Sequence, residues 1–195
     1  MKEVSAFLIV FTLIAIMFIY HQSQYSNLTY VISSVDNNKY LVRNEEDKLD
    51  AANRLALLNI QILQFIDYLV EKHKGGDKYD DILQIKQNYN PNKLSENIKG
   101  GKDNTSYSLN KGEKVVLCIR QKEDDSFVDE NTMMYVILHE LAHIMSDSIG
   151  HTDEFWENFE FLLENAEDAN IYIGVDYEKD NQRYCGMDIT DNPLF

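Results

Sequence analysis

Residues 136–163 read VILHELAHIMSDSIGHTDEFWENFEFLL and hold three of the five histidines of the chain in one largely apolar stretch. His139, Glu140 and His143 form a His-Glu-x-x-His pattern. Positions four apart lie on one face of a helix, about 6 Å apart, so both imidazoles can bind one Zn²⁺. Glu140 is turned away from direct ligation and can activate a zinc-bound water as a general base. The stretch predicts a catalytic zinc site on a helix that begins near Asn131.

A catalytic zinc needs a third protein ligand and an open fourth position. We predict that His151 is this ligand, because Gly150 allows the chain to turn back towards the first helix. The remaining histidines, His21 and His73, lie in contexts that do not favour ligation. Glu154 is an alternative third ligand, as in enzymes that complete the site with a downstream carboxylate. The acids of this second helix more often form a solvated face.

The second helix of the stretch also has an apolar face, which we expect to pack into the core. This face consists of Phe155, Trp156, Phe159, Leu162 and Leu163. Trp156 is therefore interpreted as part of the scaffold rather than of the chemistry.

Hydrophobic periodicity predicts a small α+β domain around this stretch. The elements are two short strands at 27–34 and 39–43, a long helix at 45–72, a short helix at 79–88, and a hairpin with its bend at 110–112 and an apolar second strand. No internal repeat divides the chain, so we expect one globular domain.

The amino-terminal segment predicts a membrane anchor. Residues 4–20 carry no charged side chain, and at 1.5 Å per residue they span about 25 Å, the short end of what crosses a bilayer. No small-x-small cleavage site follows, which favours an uncleaved anchor over a secretory signal. We expect a single-pass anchor at 1–22 and a domain at 23–195. Because Lys2 precedes the segment and the next cationic residue is Lys39, the domain is expected on the lumenal or exterior side.

Charge and cysteine content restrict the classes of partner and site. The formal net charge is -15, with 33 acidic against 18 basic residues, so no nucleic-acid partner is expected. Two cysteines, Cys118 and Cys185, cannot build a disulfide framework or a four-thiolate zinc site. They form either one disulfide or two buried thiols, and Cys185 is also an alternative zinc ligand.

The HELAH pattern, followed by a glycine and histidine and then by FW and FxxLL, resembles the SprT-like and WLM (Wss1-like) zinc metallopeptidases. The resemblance implies an α+β, zincin-like minimal metallopeptidase domain with a long helix, a small antiparallel sheet, the HExxH helix and a following helix. It implies that His139, His143 and His151 bind zinc while Glu140 activates water. Looser blocks such as YLVRNEEDKLDAANRLA and YCGM are similar to membrane-anchored HExxH proteins of large DNA viruses.

These features predict a membrane-anchored zinc metallopeptidase that hydrolyses peptide bonds of protein substrates. The edge strand before the metal helix is expected to bind extended substrate, and Val115–Arg120 is the predicted strand. Tyr172, Tyr177 and Tyr184 are candidate hydrogen-bond donors to the tetrahedral intermediate. The alternative is a non-catalytic, membrane-tethered protein-binding module with a structural zinc site, which four protein ligands in a closed shell would distinguish.

Overall fold

The computed structural model describes residues 2–25, 27–99 and 105–195, and within the first of these ranges the side chains of 8–19. In chain order the elements are α1 (Lys2–Tyr25), β1 (Leu28–Ile32), β2 (Lys39–Arg43), α2 (Lys48–Lys72), α3 (Tyr79–Asn88), β3 (Leu94–Glu96), β4 (Tyr107–Leu109), β5 (Lys114–Leu117), α4 (Glu130–Met145), α5 (Asp153–Asp168), β6 (Gln182–Tyr184) and β7 (Met187–Ile189). Short 3-10 turns at Pro91–Lys93 and Asn110–Gly112 precede β3 and β5. The predicted α+β class is confirmed.

The main sheet has five strands in the order β1-β2-β3-β5-β4. The pairs β1–β2 and β4–β5 are antiparallel, whereas β2, β3 and β5 run parallel. The expectation of an antiparallel sheet was therefore wrong for its centre. The physical reason is the crossover through α2 and α3, which returns the chain to the same end of the sheet before β3 begins.

Strand β5 lies inside this sheet, between β3 and β4. The prediction that Val115–Arg120 is the edge strand was therefore wrong, because both sides of β5 already pair with neighbouring strands. The end strand beside the metal helix is β4, the first strand of the predicted hairpin. Its three residues precede the left-handed Lys111 in the bend, which has φ 55°.

Two helices fix the core. The long helix α2 packs on β1, β2 and β3 and buries the predicted apolar face, with Leu55, Ile62 and Leu69 at most 2% exposed. Helix α4 is more deeply enclosed, since twelve of its 16 residues are buried. Its N-cap is Asp129, whose carboxylate accepts the Thr132 amide at 2.9 Å. This nearly buried helix carries the His-Glu-x-x-His pattern.

A buried ionic network joins the sheet to the start of α2. Arg120, which is 2% exposed, donates to both carboxylate oxygens of Asp47 at 2.6 and 2.8 Å. Its Nε donates to Glu96 at 2.8 Å. The other oxygen of Glu96 accepts the backbone amide of Arg43 at 2.7 Å. These hydrogen bonds therefore connect β2, β3, the segment after β5 and the start of α2.

Cys118 and Cys185 form a disulfide with a Cα–Cα distance of 6.1 Å. Of the alternatives left open by the sequence, the structure has the disulfide, so Cys185 is not a zinc ligand. Cys185 and Gly186 have φ values of 50° and 80°, as a two-residue turn with both central residues left-handed requires. The bond attaches this β6–β7 hairpin to the end of β5.

None of the helices in the described ranges is long and apolar enough to cross a membrane. The prediction of a single-pass anchor at 1–22 was therefore wrong. The membrane as a partner and the lumenal or exterior placement depended on that anchor and are withdrawn with it. The domain boundary between residues 22 and 23 stays a prediction.

Candidate active site

Helix α4 and the turn after it bring three imidazoles together. The ring centroids of His139 and His143 are 4.9 Å apart, and His151 lies 4.9 and 5.0 Å from them. One ring nitrogen from each histidine lies within 4.8 Å of the others. The Nε2 atoms of His139 and His151 are 3.1 Å apart. The three histidines singled out from the sequence converge on one point.

The turn between α4 and α5 presents His151 in this position. Gly150 has φ 87°, so the predicted turn at this glycine is confirmed. On one side the ammonium of Lys111 donates to three backbone carbonyl oxygens. These belong to His143, Ser146 and Ser148. A cation at the end of α4 also complements the negative pole of the helix dipole.

Glu154 holds the other side of the same turn. Its carboxylate oxygens accept the backbone amides of Asp147 at 2.7 Å and Ser148 at 3.0 Å. Hydrogen bonds from Ser148 and the Asp147 amide lower the pKa of Glu154 to about 2. Within the described residues Glu154 is not among the groups that could share one metal ion. The alternative assignment of Glu154 as third ligand is therefore replaced by a role in the turn.

The imidazoles pack on an aromatic floor. The ring of Phe155, which is fully buried, lies between 4.4 and 4.9 Å from all three. Burial, together with the neighbouring imidazoles, lowers the pKa of His139 to about 3 and that of His143 to about 4. Both rings are therefore neutral near pH 7, and the neutral imidazole is the form that ligates zinc.

Glu140 lies beside these rings and is 5% exposed. Burial raises the pKa of its carboxyl to about 7, although the hydroxyl and amide of Ser108 both donate to it and oppose that shift. A carboxyl that titrates near neutral pH is suited to accept and return a proton. Because Ser108 lies on β4, the end strand of the sheet holds the candidate base.

Two cavities open on this cluster. One of about 560 Å³ lies between β4 and the turn at 146–151, and one of about 340 Å³ lies between α4 and the β6–β7 hairpin. His139, Glu140 and His151 line both cavities. An extended chain that occupied both would pass beside His139, Glu140 and His151.

Tyr184 is the candidate hydrogen-bond donor that reaches the site. It lines the smaller cavity, and its hydroxyl is hydrogen bonded to Ser106 Oγ, which accepts the amide of Cys118 at 3.0 Å. Tyr172 and Tyr177 instead pack on the Tyr135 ring, at 6.1 and 4.9 Å. The choice among these three tyrosines could not be made from the sequence alone.

Trp156 does not lie in the core. It is 37% exposed, lines the smaller cavity and lies 5.8 Å from the His151 ring. The prediction that it belongs to the scaffold was wrong, because the neighbouring positions 155, 159 and 162 already fill the buried stripe of α5. One residue further on, the side chain points about 100° around the helix.

Ser106 and Ser108 were also missed by the sequence analysis. Both lie beside the site, one bonded to Tyr184 and the other to Glu140. The available signal was their alternation in SYSL, which places two hydroxyls on one face of a strand.

A helix with a His-Glu-x-x-His pattern that packs against β4, followed by a turn with a third histidine, is typical of metallopeptidase-type families. A model of the WLM domain family matches residues 85–193. The chain belongs to the WLM family.

Relatives occur in large DNA viruses. The chain is 35% identical to "Uncharacterized protein R325" of Acanthamoeba polyphaga mimivirus over 93% of its own length and 92% of that protein. It is 43% identical to "Uncharacterized protein 042R" of Invertebrate iridescent virus 3, over 37% of the chain and 45% of that protein. The crystal structure of Wss1 from Saccharomyces cerevisiae aligns with a TM-score of 0.46 and 21% identity, covering 66% of this chain and 89% of that one. The resemblances to the WLM family and to viral proteins are confirmed.

Proposed function

We propose that this protein is a zinc-dependent metallopeptidase that hydrolyses peptide bonds of protein substrates. The observation that carries the proposal is the convergence of His139, His143 and His151 beside Glu140 on an open cavity. Within the described residues no fourth histidine, cysteine or carboxylate joins the cluster. Three protein ligands with access for a further one are typical of catalytic zinc sites, whereas structural sites have four.

The donor set fits zinc. Three imidazole nitrogens lie within 4.8 Å of one another, which is close enough for them to share one ion, and imidazole nitrogen is a common zinc ligand. The lowered pKa values of His139 and His143 remove competition from protons near neutral pH. When bound, Zn²⁺ supplies Lewis acidity that polarises the scissile carbonyl and makes water more acidic.

The protein groups around the metal position supply the proton transfers. Glu140 accepts the proton of the attacking water and delivers it to the leaving amine. The two donors of Ser108 orient its carboxylate. Since Ser106 Oγ already accepts the Cys118 amide, its own proton is available to Tyr184, whose hydroxyl proton can then stabilise the developing oxyanion.

The position of strand β4 supports a protein substrate. It is the end strand of the sheet, and Tyr107 and Ser108 line the larger cavity together with Glu140. An extended polypeptide that pairs with an end strand gains affinity from main-chain hydrogen bonds and does not require particular side chains. Such a segment would carry its peptide bonds past the candidate base.

The substitution Glu140→Gln tests this function. In zinc-loaded protein it should lower the cleavage rate of an unstructured protein such as casein by about 10²–10⁴-fold, because the general base is lost. Zinc content should not change, since Glu140 is not a ligand. The matched control is Glu130→Gln, an exposed glutamate in the first turn of the same helix. Equal cleavage by Glu140→Gln and wild type would refute the proposal.

A further inference from the structure

Three lysines meet in a second pocket, on the sheet rather than at the histidines. Lys39 is the first residue of β2, Lys114 is the first residue of β5, and Lys93 immediately precedes β3. They line a cavity of about 110 Å³ together with Ser95. None of the described residues that line it also lines either cavity of the candidate active site.

The strand register places these lysines in one row. Leu41 of β2 is opposite Ser95 of β3, which is opposite Val116 of β5. Lys39 and Lys114 lie two residues before Leu41 and Val116 in their strands, and side chains two apart return to the same face of a sheet. Lys93 is the last residue of the 3-10 turn that leads into β3. Lys39 and Lys114 therefore lie on one face of the sheet, and Lys93 lies at the start of the strand between them and lines the same cavity.

This row has no counter-charge in the described part of the chain. The other described residues that line the pocket are Tyr30, Leu41, Asn92 and Leu94. Each ion pair found in the described residues involves a cation other than these three lysines. Like charges opposite one another on neighbouring strands destabilise a sheet. With 33 acidic residues in the chain, a cationic row without a carboxylate indicates a site for an external anion.

Ser95 supplies an independent observation. It is 4% exposed, lies on the middle strand of the three and lines the pocket. Its Oγ has no hydrogen-bond partner within the described residues. A buried hydroxyl normally has a partner, because leaving it unsatisfied costs stability. An oxyanion in the pocket would accept this hydroxyl proton.

We propose that the pocket formed by Lys39, Lys93, Lys114 and Ser95 binds the phosphate group of a small phosphorylated molecule. Phosphate oxygens carry enough charge to neutralise two or more ammonium groups and provide several acceptors. The exposed amide of Asn92 and the Ser95 hydroxyl complete the set of donors. This site is distinct from the peptidase chemistry and does not depend on it.

The test is titration of the protein with inorganic phosphate and with pyrophosphate. Isothermal titration calorimetry and the NMR signals of the Lys93 and Ser95 backbone amides monitor binding. We expect saturable binding with one site per chain. Replacing all three row lysines by glutamine should weaken pyrophosphate binding by at least about tenfold. The matched control replaces three other exposed lysines by glutamine, with the same change in net charge. These are Lys48, Lys74 and Lys122.

A second variant separates the pocket from general charge attraction. Ser95→Ala keeps every charge and should still weaken binding several-fold, because the buried donor is lost. In buffer without phosphate, the row variant should melt no lower than wild type, since it relieves like-charge repulsion. Added phosphate should raise the Tm of wild type and not that of the row variant. Absence of saturable binding, or equal weakening in the control variant, would overturn the proposal.

Discussion

Two side chains that bind no metal determine where His151 can lie. Lys111 donates to carbonyl oxygens of the turn after α4, and Glu154 accepts the amides of Asp147 and Ser148. Carbonyl groups and amide groups of this turn are therefore both hydrogen bonded to side chains. Partners that orient zinc ligands commonly alter metal affinity when they are removed.

Lys111→Met should weaken zinc binding by about tenfold while the protein remains folded. Methionine keeps the length of the side chain but cannot donate to the carbonyl oxygens, so the turn loses its cationic cap. Competition with a fluorescent zinc chelator measures the affinity. Lys74→Met, at an exposed lysine after α2, is the control. An affinity of Lys111→Met that matches the control would rule out this role.

Tyr184 is expected to act in the transition state rather than in binding. Tyr184→Phe should lower kcat by about 10²-fold with little change in KM or zinc content, because one donor to the oxyanion is lost. Steady-state kinetics on a quenched fluorescent peptide separates the two constants. Tyr172→Phe is the matched control, since Tyr172 packs on Tyr135 and lines neither cavity of the candidate site. Equal losses in the two variants would mean a structural role.

At the residue scale, the spacing of residues along the sequence predicted the part of the site that lies within one short segment. His139, Glu140 and His143 lie on one helix, and Gly150 with His151 follows at a turn, so a short segment contained the whole cluster. Ser108 and Tyr184 come from strands far along the chain, and their approach depends on the sheet and the disulfide. No pattern within a short segment carries that information.

At the scale of elements, helices were easier to predict than strands. The short helix α3 has the predicted bounds Tyr79–Asn88, and α2 ends at the predicted Lys72. Strand β3 was not predicted, because its three residues are too few to show alternation and all of them are buried. Its parallel pairing with β2 and β5 joins distant parts of the chain, which periodicity cannot reveal.

The ionic network at the start of α2 makes stability depend on pH. The hydrogen bond from Arg120 lowers the pKa of Asp47. A carboxyl with a lowered pKa stabilises the fold above its unfolded value, near 3.8, and this contribution is lost as the pH falls through the folded value. Asp47 makes no side-chain cap hydrogen bond to α2, so its contribution comes from the ion pair.

Asp47→Asn should therefore reduce the free energy of unfolding by about 1 kcal/mol at pH 7, because the buried guanidinium of Arg120 loses one of its two carboxylates, while solvent screens the Asp47 side chain, which is 39% exposed. The difference from wild type should shrink as the pH falls below about 4. Urea denaturation at several pH values measures both effects. Asp50→Asn, which removes a carboxylate from the first turn of the same helix, is the control. A loss that stays constant with pH would contradict the ion-pair account.

For the whole molecule, the disulfide connects the candidate site to the end of the chain. It joins positions separated by 67 residues, and a loop of that size corresponds to about 4 kcal/mol of stabilisation in the chain-entropy model. It also fixes the β6–β7 hairpin, which carries Tyr184, along the smaller cavity. The sequence alone did not distinguish a disulfide from two buried thiols, because the distance between the cysteines depends on the tertiary fold.

Metal analysis of the purified protein tests most directly whether three histidines hold one zinc ion. After exposure to zinc and dialysis, wild type should retain about one zinc per chain, and His139→Ala and His151→Ala should retain far less. His73→Ala should retain as much as wild type, since His73 lies away from the cluster and bonds to Asn165. Folded wild-type protein without zinc, or equal zinc loss in His73→Ala and His151→Ala, would contradict the account.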